Sequence, residues 1–158
     1  MAAPTSALRA HEELFAYWSS LRARGGRLPG RRDIDPNCFK RHLPTVSLTE
    51  VRRDPPDFRL RLAGTGLYGV YGREITGLSL DQVYTAPEAA YWRAELGKVI
   101  RSGRPAVGAK TLDWRDGGRL SLLWLRLPLA SDGETVDMIL GYDAVLGLNE
   151  PPSGVRAA

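Results

Sequence analysis

Side chains that could act as nucleophiles, bases or metal ligands are few and scattered in this chain. Its histidines are His11 and His42, and its single cysteine is Cys38. Nucleophilic catalysis needs a Ser or Cys beside a base that an acid orients, and neither histidine lies in a recognisable motif of that kind. No His/Cys cluster has the spacing of metal ligands. The sequence therefore predicts no catalytic residue, no metal site and no enzymatic activity.

Two further patterns are candidates for chemistry. Acids are paired at Glu12 and Glu13 and occur again at Asp113 and Asp116, but nothing in the sequence predicts raised pKa values or a shared cleft for them. The glycine-rich stretch 64–69 lacks both the lysine of a phosphate loop and the full dinucleotide-binding pattern. We interpret it as a tight backbone passage.

The composition is that of an ordinary folded domain. Of 158 residues, 43% are hydrophobic and 25% are charged, which is far from the composition of disordered chains. No apolar run is long enough for a signal peptide or a membrane span, and a lone cysteine allows no internal disulfide, so we expect a cytoplasmic protein without a membrane partner.

The formal net charge of +4 permits weak attraction to nucleic acid. The densest basic stretch, 22–32, is interrupted by three glycines and a proline. This pattern indicates a solvated loop rather than a rigid reading element, so we expect no nucleic-acid partner.

Hydrophobic spacing and turn residues predict the order of the elements. The predicted helical segments are 6–24, a short turn over 35–41, 65–71 and 87–101. The predicted strands are 45–53, 58–64, 106–114, 119–127 and 135–145, the first two forming a hairpin and the last three a meander. The fold class is therefore α+β, with one antiparallel sheet and helices crossing one face.

The strand patterns also predict which faces are buried. In the second strand Phe58, Leu60 and Leu62 alternate with arginines, which predicts one buried face. Residues 120–127 are apolar on both faces, so both must be covered. The second cover is either the amphipathic N-terminal helix of the same chain or a second subunit, and the two arrangements can coexist.

Several segments in the correct order resemble a bacterial family of short, stand-alone PAS-like proteins. They are 58–65 (FRLRLAGT), 71–77 (YGREITG), 127–133 (LPLASDG) and 136–141 (VDMILG), with the earlier 17–18 (YW) and 33–36 (DIDP). The resemblance implies a PAS-like fold: a five-stranded antiparallel sheet with short helices over one face, an extra N-terminal amphipathic helix, a ligand-sized interior and frequent homodimerisation through the leading helix.

The resemblance also raises the question of the cofactors that PAS domains use. Haem would need a histidine in the helical middle of the domain, and flavin photochemistry would need a reactive cysteine there. His11, Cys38 and His42 all lie earlier in the chain. We therefore expect neither haem nor flavin, and an unidentified small molecule is left as the possible ligand.

Aromatic and polar side chains are the candidates for lining such an interior. The candidate ligand-binding residues are Leu62, Thr65, Tyr68, Arg73, Trp92, Trp114, Trp124 and Met138. The alternative is that these residues fill a solid core. Arg61 and Arg73 can hold a carboxylate in a fork of hydrogen bonds or simply be exposed strand arginines.

The function predicted from the sequence is that of a PAS sensory protein. It binds a small molecule or relays its state to a signalling partner protein, as a homodimer. The alternatives are a ligand-free protein-interaction module and, third, an enzyme of unknown class. We expect disordered ends at 1–5 and 148–158 around one domain spanning 6–147.

Overall fold

The computed structural model describes residues 5–53, 56–113 and 117–149. The helices are α1 Thr5–Gly25, α2 Thr65–Tyr71, α3 Leu80–Val83 and α4 Ala86–Ser102. The strands are β1 Val46–Arg53, β2 Pro56–Ala63, β3 Ala106–Asp113, β4 Arg119–Leu129 and β5 Met138–Asn149. Two 3-10 helices, Arg31–Asp33 and Pro36–Thr45, connect α1 to β1. None of the described helices is both long and apolar enough to cross a membrane.

The five strands form one antiparallel sheet in the order β2-β1-β5-β4-β3. The predicted α+β class and the five-stranded sheet are confirmed. Strand β5 lies at the centre, hydrogen-bonded to β1 on one side and to β4 on the other. A displacement of β5 would therefore affect the strands on both sides of it.

The predicted element bounds differ from the structure mainly at β5. The Asp132 carboxylate accepts hydrogen bonds from the backbone N–H groups of Glu134 (2.8 Å) and Thr135 (2.7 Å), so the chain turns there and the strand begins only at Met138. The four-residue helix α3 was not predicted.

The predicted disordered ends lie largely outside the described residues. Within the described part, Thr5 belongs to α1, and 148–149 belong to β5.

A bulge in β2 changes the predicted burial of Leu62. Leu60 pairs with Thr49 and Leu62 pairs with the next residue of β1, Leu48, so Arg61 is an extra residue in β2. A bulge reverses the alternation of side chains beyond it. Leu60 is buried as predicted, whereas Leu62 is 46% exposed.

Helix α1 covers the face of the sheet opposite to α4. Trp18 Nε1 donates to the Pro128 carbonyl oxygen over 2.8 Å, and His11 Nε2 donates to the Leu123 carbonyl oxygen over 3.1 Å. Leu14 and Trp18 are buried. Of the two covers considered for this face, the structure therefore has the helix of the same chain.

Glycine at position 108 makes room for the main aromatic cluster of the core. Gly108 on β3 pairs with Trp124 on β4, and the Trp124 ring packs edge-on against Trp92 of α4 with 5.4 Å between the centroids. A Cβ atom at position 108 would overlap the Trp124 ring. The close packing of α4 on the sheet thus depends on the missing side chain.

We predict that Gly108→Ala lowers the free energy of unfolding by about 1–3 kcal/mol, because the Trp124 ring or the β3 backbone has to shift. Gly147→Ala on β5 is the matched control, since a Cβ atom there meets nothing within 4 Å. Urea denaturation of both variants tests this. Equal stability of the two variants would show that Trp124 is not held as tightly as described.

We further predict that His11 makes the domain less stable on mild acidification. Burial lowers the pKa of His11 below its ordinary value of 6.5, so around and below that pH the unfolded chain binds more protons than the folded one. The free energy of unfolding then falls as the pH drops through 6.5 toward the folded-state pKa. His11→Gln retains a donor for the Leu123 carbonyl group without titrating.

Denaturation curves at several pH values between about 7.5 and 5 measure how the free energy of unfolding changes with pH. This range brackets the ordinary pKa of histidine. His11→Gln should reduce the slope of this change, while the control His42→Gln should keep the His11 contribution. If the slope persists unchanged in His11→Gln, another group causes it.

Candidate functional site

A buried ion pair lies inside the sheet between two neighbouring strands. Arg126 on β4 donates from Nη2 to both carboxylate oxygens of Asp143 on β5, at 3.0 and 3.3 Å. Only 7% and 5% of the two side chains are exposed. Arg126 Nη1 also donates to the carbonyl oxygens of Leu125 (3.0 Å) and Tyr142 (3.3 Å). The guanidinium group thus fastens β4 to β5 through charge and backbone contacts together.

Two tryptophan rings complete the surroundings of this guanidinium group. Arg126 Cζ lies 4.7 Å from the centroid of the Trp92 ring and 5.8 Å from that of Trp124. Trp124 is held in place by a 3.0 Å hydrogen bond from its Nε1 to the Tyr91 hydroxyl group. Contact with aromatic faces stabilises a cation that has been removed from water.

Gly141 leaves the space that Arg126 occupies. It pairs with Arg126 on β4 and with Ser47 on β1. A Cβ atom at position 141 would lie 2.7 Å from Ser47 Oγ and 3.1 Å from Arg126 Nη1. The position of the guanidinium group is therefore built into the sheet.

A pair of tyrosine hydroxyl groups borders the same interior. The hydroxyl oxygens of Tyr71 and Tyr84 lie 3.2 Å apart. Burial, with the nearby negative charge of Asp143 second, raises the pKa of Tyr84 to about 12. Burial also raises the pKa of Tyr71 well above its ordinary value. Both hydroxyl groups therefore stay protonated and can donate as well as accept hydrogen bonds.

These groups surround a cavity of about 20 Å³, which is room for a single water molecule. Its sheet side is polar and its helix side is mainly apolar. The lining residues are Ser47, Thr49, Leu60, Leu67, Tyr71, Ile75, Leu80, Tyr84, Trp92, Leu96, Arg126 and Asp143. A few polar groups on an apolar wall are the usual chemistry of a small-molecule site, although such sites are larger when occupied.

The structure brings two of the predicted ligand-binding residues to this site. Trp92 lines the cavity and Trp124 contacts Arg126. Trp114 lies outside the described residues.

The other predicted residues lie outside the lining of the cavity. Leu62 is turned away by the bulge in β2. Tyr68 is 55% exposed on α2, and Thr65, at the start of that helix, is exposed as well. Arg73 is exposed and donates from Nη2 to the Gln82 carbonyl oxygen. Met138 packs against the main core at the start of β5.

The residues at the centre of the site were missed by the sequence reasoning. Arg126 and Asp143 are the single charged residues in the apolar runs 120–130 and 138–149. Two lone opposite charges on strands that were predicted to be neighbours were a usable signal. Their contact itself depends on the pairing register, in which Asp143 lies opposite Trp124, two residues from Arg126.

Both histidines lie on the α1 side of the sheet, around Tyr142. The centroids of the His11 and His42 rings are 5.6 and 5.7 Å from that of Tyr142, and both contacts are edge-on. His42 Nε2 is also 2.7 Å from Glu13 Oε2 on α1. The histidines thus join α1 to β5 on the face opposite to the cavity.

Solved structures that resemble this chain include Light-Oxygen-Voltage (LOV) proteins. The Rhodobacter sphaeroides LOV protein matches with a TM-score of 0.50 and 23% identity, over 70% of this chain and 63% of that one. A LOV domain studied with a flavin analogue matches with a TM-score of 0.54 and 15% identity, over 70% of this chain and 83% of that one. At these identities the likeness establishes a shared fold.

The fold also occurs in a protein solved as a complex with a ligand and DNA. The Vibrio cholerae VqmA–ligand–DNA complex matches with a TM-score of 0.53 and 16% identity, over 65% of this chain and 46% of that one. This chain therefore spans less than two thirds of the LOV protein and less than half of VqmA. No curated protein matches the chain.

The expectation that excluded flavin is wrong. The fold is shared with LOV proteins, including one studied with a flavin analogue, so the position of Cys38 does not exclude flavin from such an interior. A cavity of about 20 Å³ is smaller than a flavin ring system. The lining side chains would have to move apart to admit one.

The sequence pattern of the PAS domain matches residues 7–143. This range contains α1 apart from its first two residues, the whole cavity and the first half of β5. Because the match extends over most of the chain and agrees with the five-stranded sheet, this chain belongs to the PAS domain family.

Proposed function

We propose that this PAS domain is a sensory module that binds a small molecule at the Arg126–Asp143 cavity and relays its state through α1. The observation that carries the proposal is the buried ion pair itself. Well-packed apolar residues would stabilise such a core as well as, or better than, a pair of charges. A paired arginine held against two tryptophans in a sensory fold therefore favours a role in ligand binding.

The donors and acceptors around the cavity favour a small amphipathic ligand. Tyr71 and Tyr84 offer neutral hydroxyl groups, and Trp92 has a buried Nε1 with no hydrogen-bond partner among the described residues. An acceptor oxygen on the ligand would satisfy such a donor, and an apolar body would pack against the leucines of the helices. Binding would widen the cavity and displace side chains.

Displacement at the cavity has a direct route to α1. Asp143 and Tyr142 are consecutive residues of β5, so their side chains lie on opposite faces of the sheet. Arg126 holds the Asp143 carboxylate and the Tyr142 carbonyl group on one side. On the other side the Tyr142 ring contacts His11 of α1. A ligand that moves Arg126 would thereby alter the packing of α1 on the sheet.

A second candidate function is a ligand-free protein-interaction module, and for either function we propose that the protein is a homodimer. Leu8, near the start of α1, is exposed. We propose that the two subunits contact each other across a two-fold axis around this residue. We also propose that the protein acts as a sensor and not as an enzyme, and that it is located in the cytoplasm. In both candidate functions the partner protein contacts the domain at α1.

We predict that protein purified under native conditions carries additional mass, and that the Arg126→Met/Asp143→Leu double variant does not. Arg126→Met alone should cost about 3–5 kcal/mol of stability because it leaves a buried carboxylate unpaired. Replacing both charges restores apolar packing, so loss of ligand can be separated from loss of folding. Native mass spectrometry reports the mass, and the visible absorption spectrum reports whether it is a flavin.

Arg61→Gln, at an exposed position of β2 outside the cavity, is the control and should retain the additional mass. A bare wild-type protein that also binds nothing from a metabolite and flavin panel would favour the ligand-free module. Equal retention in the folded double variant would place the ligand elsewhere.

A further inference from the structure

An open groove runs beside the C-terminal half of α1, on the side of the sheet away from the cavity. It has a volume of about 760 Å³, with one wall formed by α1 and the other by the connection from α4 to β3. Phe15, Trp18 and Arg22 lie along the helix wall, and Arg104 and Pro105 form the opposite wall.

The helix wall is an ordered ladder of side chains. Phe15, Trp18 and Arg22 are spaced three and four residues apart, which places them on one face of α1. Phe15 stacks on Trp18 with 6.4 Å between the ring centroids, and Arg22 Cζ lies 5.6 Å from the Trp18 ring. Trp18 is fixed from below by its hydrogen bond to Pro128. The buried Trp18 therefore holds the helix wall in place, and Phe15 is its exposed aromatic surface.

The groove leaves a large apolar side chain in water. Phe15 is 47% exposed, and Val107, two residues beyond Pro105 on edge strand β3, is 64% exposed. Val107 pairs with Leu125 and so lies on the same side of the sheet as α1. Exposed apolar side chains that continue from a groove onto a sheet edge are typical of an interaction surface.

The charge of the groove is entirely positive. No acidic residue is among its described lining residues. The guanidinium groups of Arg22 and Arg104 are exposed and form no ion pair within the described part of the chain. Arg22 lies near the C-terminus of α1 and Arg104 follows the C-cap of α4, so both also suit a helix dipole.

More positive charge lies around the end of the same helix. Arg24 and Arg27 line a neighbouring groove of about 450 Å³. Asp33 is the one acidic residue among the described residues that line it. That carboxylate accepts a hydrogen bond from the Gly30 backbone N–H over 2.8 Å. The surface around the end of α1 is thus apolar at Phe15 and basic on both sides of the last helical turn.

We propose that this groove docks an acidic amphipathic segment of a partner protein, with its apolar side chains on Phe15, which stacks on the buried Trp18, and its carboxylates on Arg22 and Arg104. A second copy of this chain fits the groove poorly, because a two-fold contact would bring the same arginines together. This names the partner surface for the proposed relay through α1. Docking does not require the cavity to be occupied.

The test is fluorescence anisotropy with a synthetic peptide of about four helical turns, carrying glutamates on one face and leucine and phenylalanine on the other. We expect micromolar binding that weakens with salt. A peptide of the same composition with its apolar residues dispersed should bind at least about tenfold more weakly, because the aromatic contact is lost.

Phe15→Ser and Arg22→Gln/Arg104→Gln should each weaken binding by about tenfold or more, while the control Arg9→Gln, exposed on the first half of α1, should not. Circular dichroism checks that each variant is folded. Equal binding of both peptides, or binding unaffected in the folded variants, would overturn the docking site. So would a shift from dimer to monomer in Phe15→Ser, or preferred binding of a short DNA duplex through the same arginines. Ligand retention at the cavity is unaffected by these outcomes, so the two proposals fail separately.

Discussion

The contact between Arg126 and Asp143 is the constraint on which much of the remaining structure depends. Two charges removed from water need partners in fixed geometry, and these are supplied by neighbouring strands, two carbonyl groups and two tryptophan rings. Gly141 must lack a side chain for the arginine to fit, and Gly108 must lack one for Trp124 to fit. The pairing register of three strands and the position of α4 are thereby tied to one guanidinium group.

Strand β5 joins the two faces of the sheet because consecutive residues serve opposite sides. Asp143 belongs to the cavity, and Tyr142 belongs to the cluster with His11 and His42 beneath α1. The same helix then presents Phe15 and Arg22 to solvent. A continuous chain of contacts therefore leads from the cavity to β5, from β5 to α1, and from α1 to the basic groove. A sensory domain needs such continuity between its interior and a surface that a partner can contact.

Local signals in the sequence predict most of the fold. The bounds of α1, α2 and α4 follow from apolar spacing, glycines and Pro87, since these act within a few residues. The bulge at Arg61 depends on pairing with β1, so Leu62 was assigned to the wrong side of the sheet. Trp92 and Trp124 were expected at the site because they are aromatic and the resemblance to PAS proteins implies a ligand-sized interior. Arg126 and Asp143 were not, because their contact arises only from the register of β4 against β5.

The most direct test of this account is hydrogen–deuterium exchange of the wild type and of the Arg126→Met/Asp143→Leu variant, followed along the whole chain. If the ion pair holds α1 in place through Tyr142, exchange in α1 should rise around His11 and Leu14. The tip of the β1–β2 hairpin, at the pair Arg52–Asp57 beyond the start of β5, should exchange as before. Unchanged protection of α1 in a variant whose cavity residues exchange faster would contradict the account, because the interior would then be uncoupled from the helix.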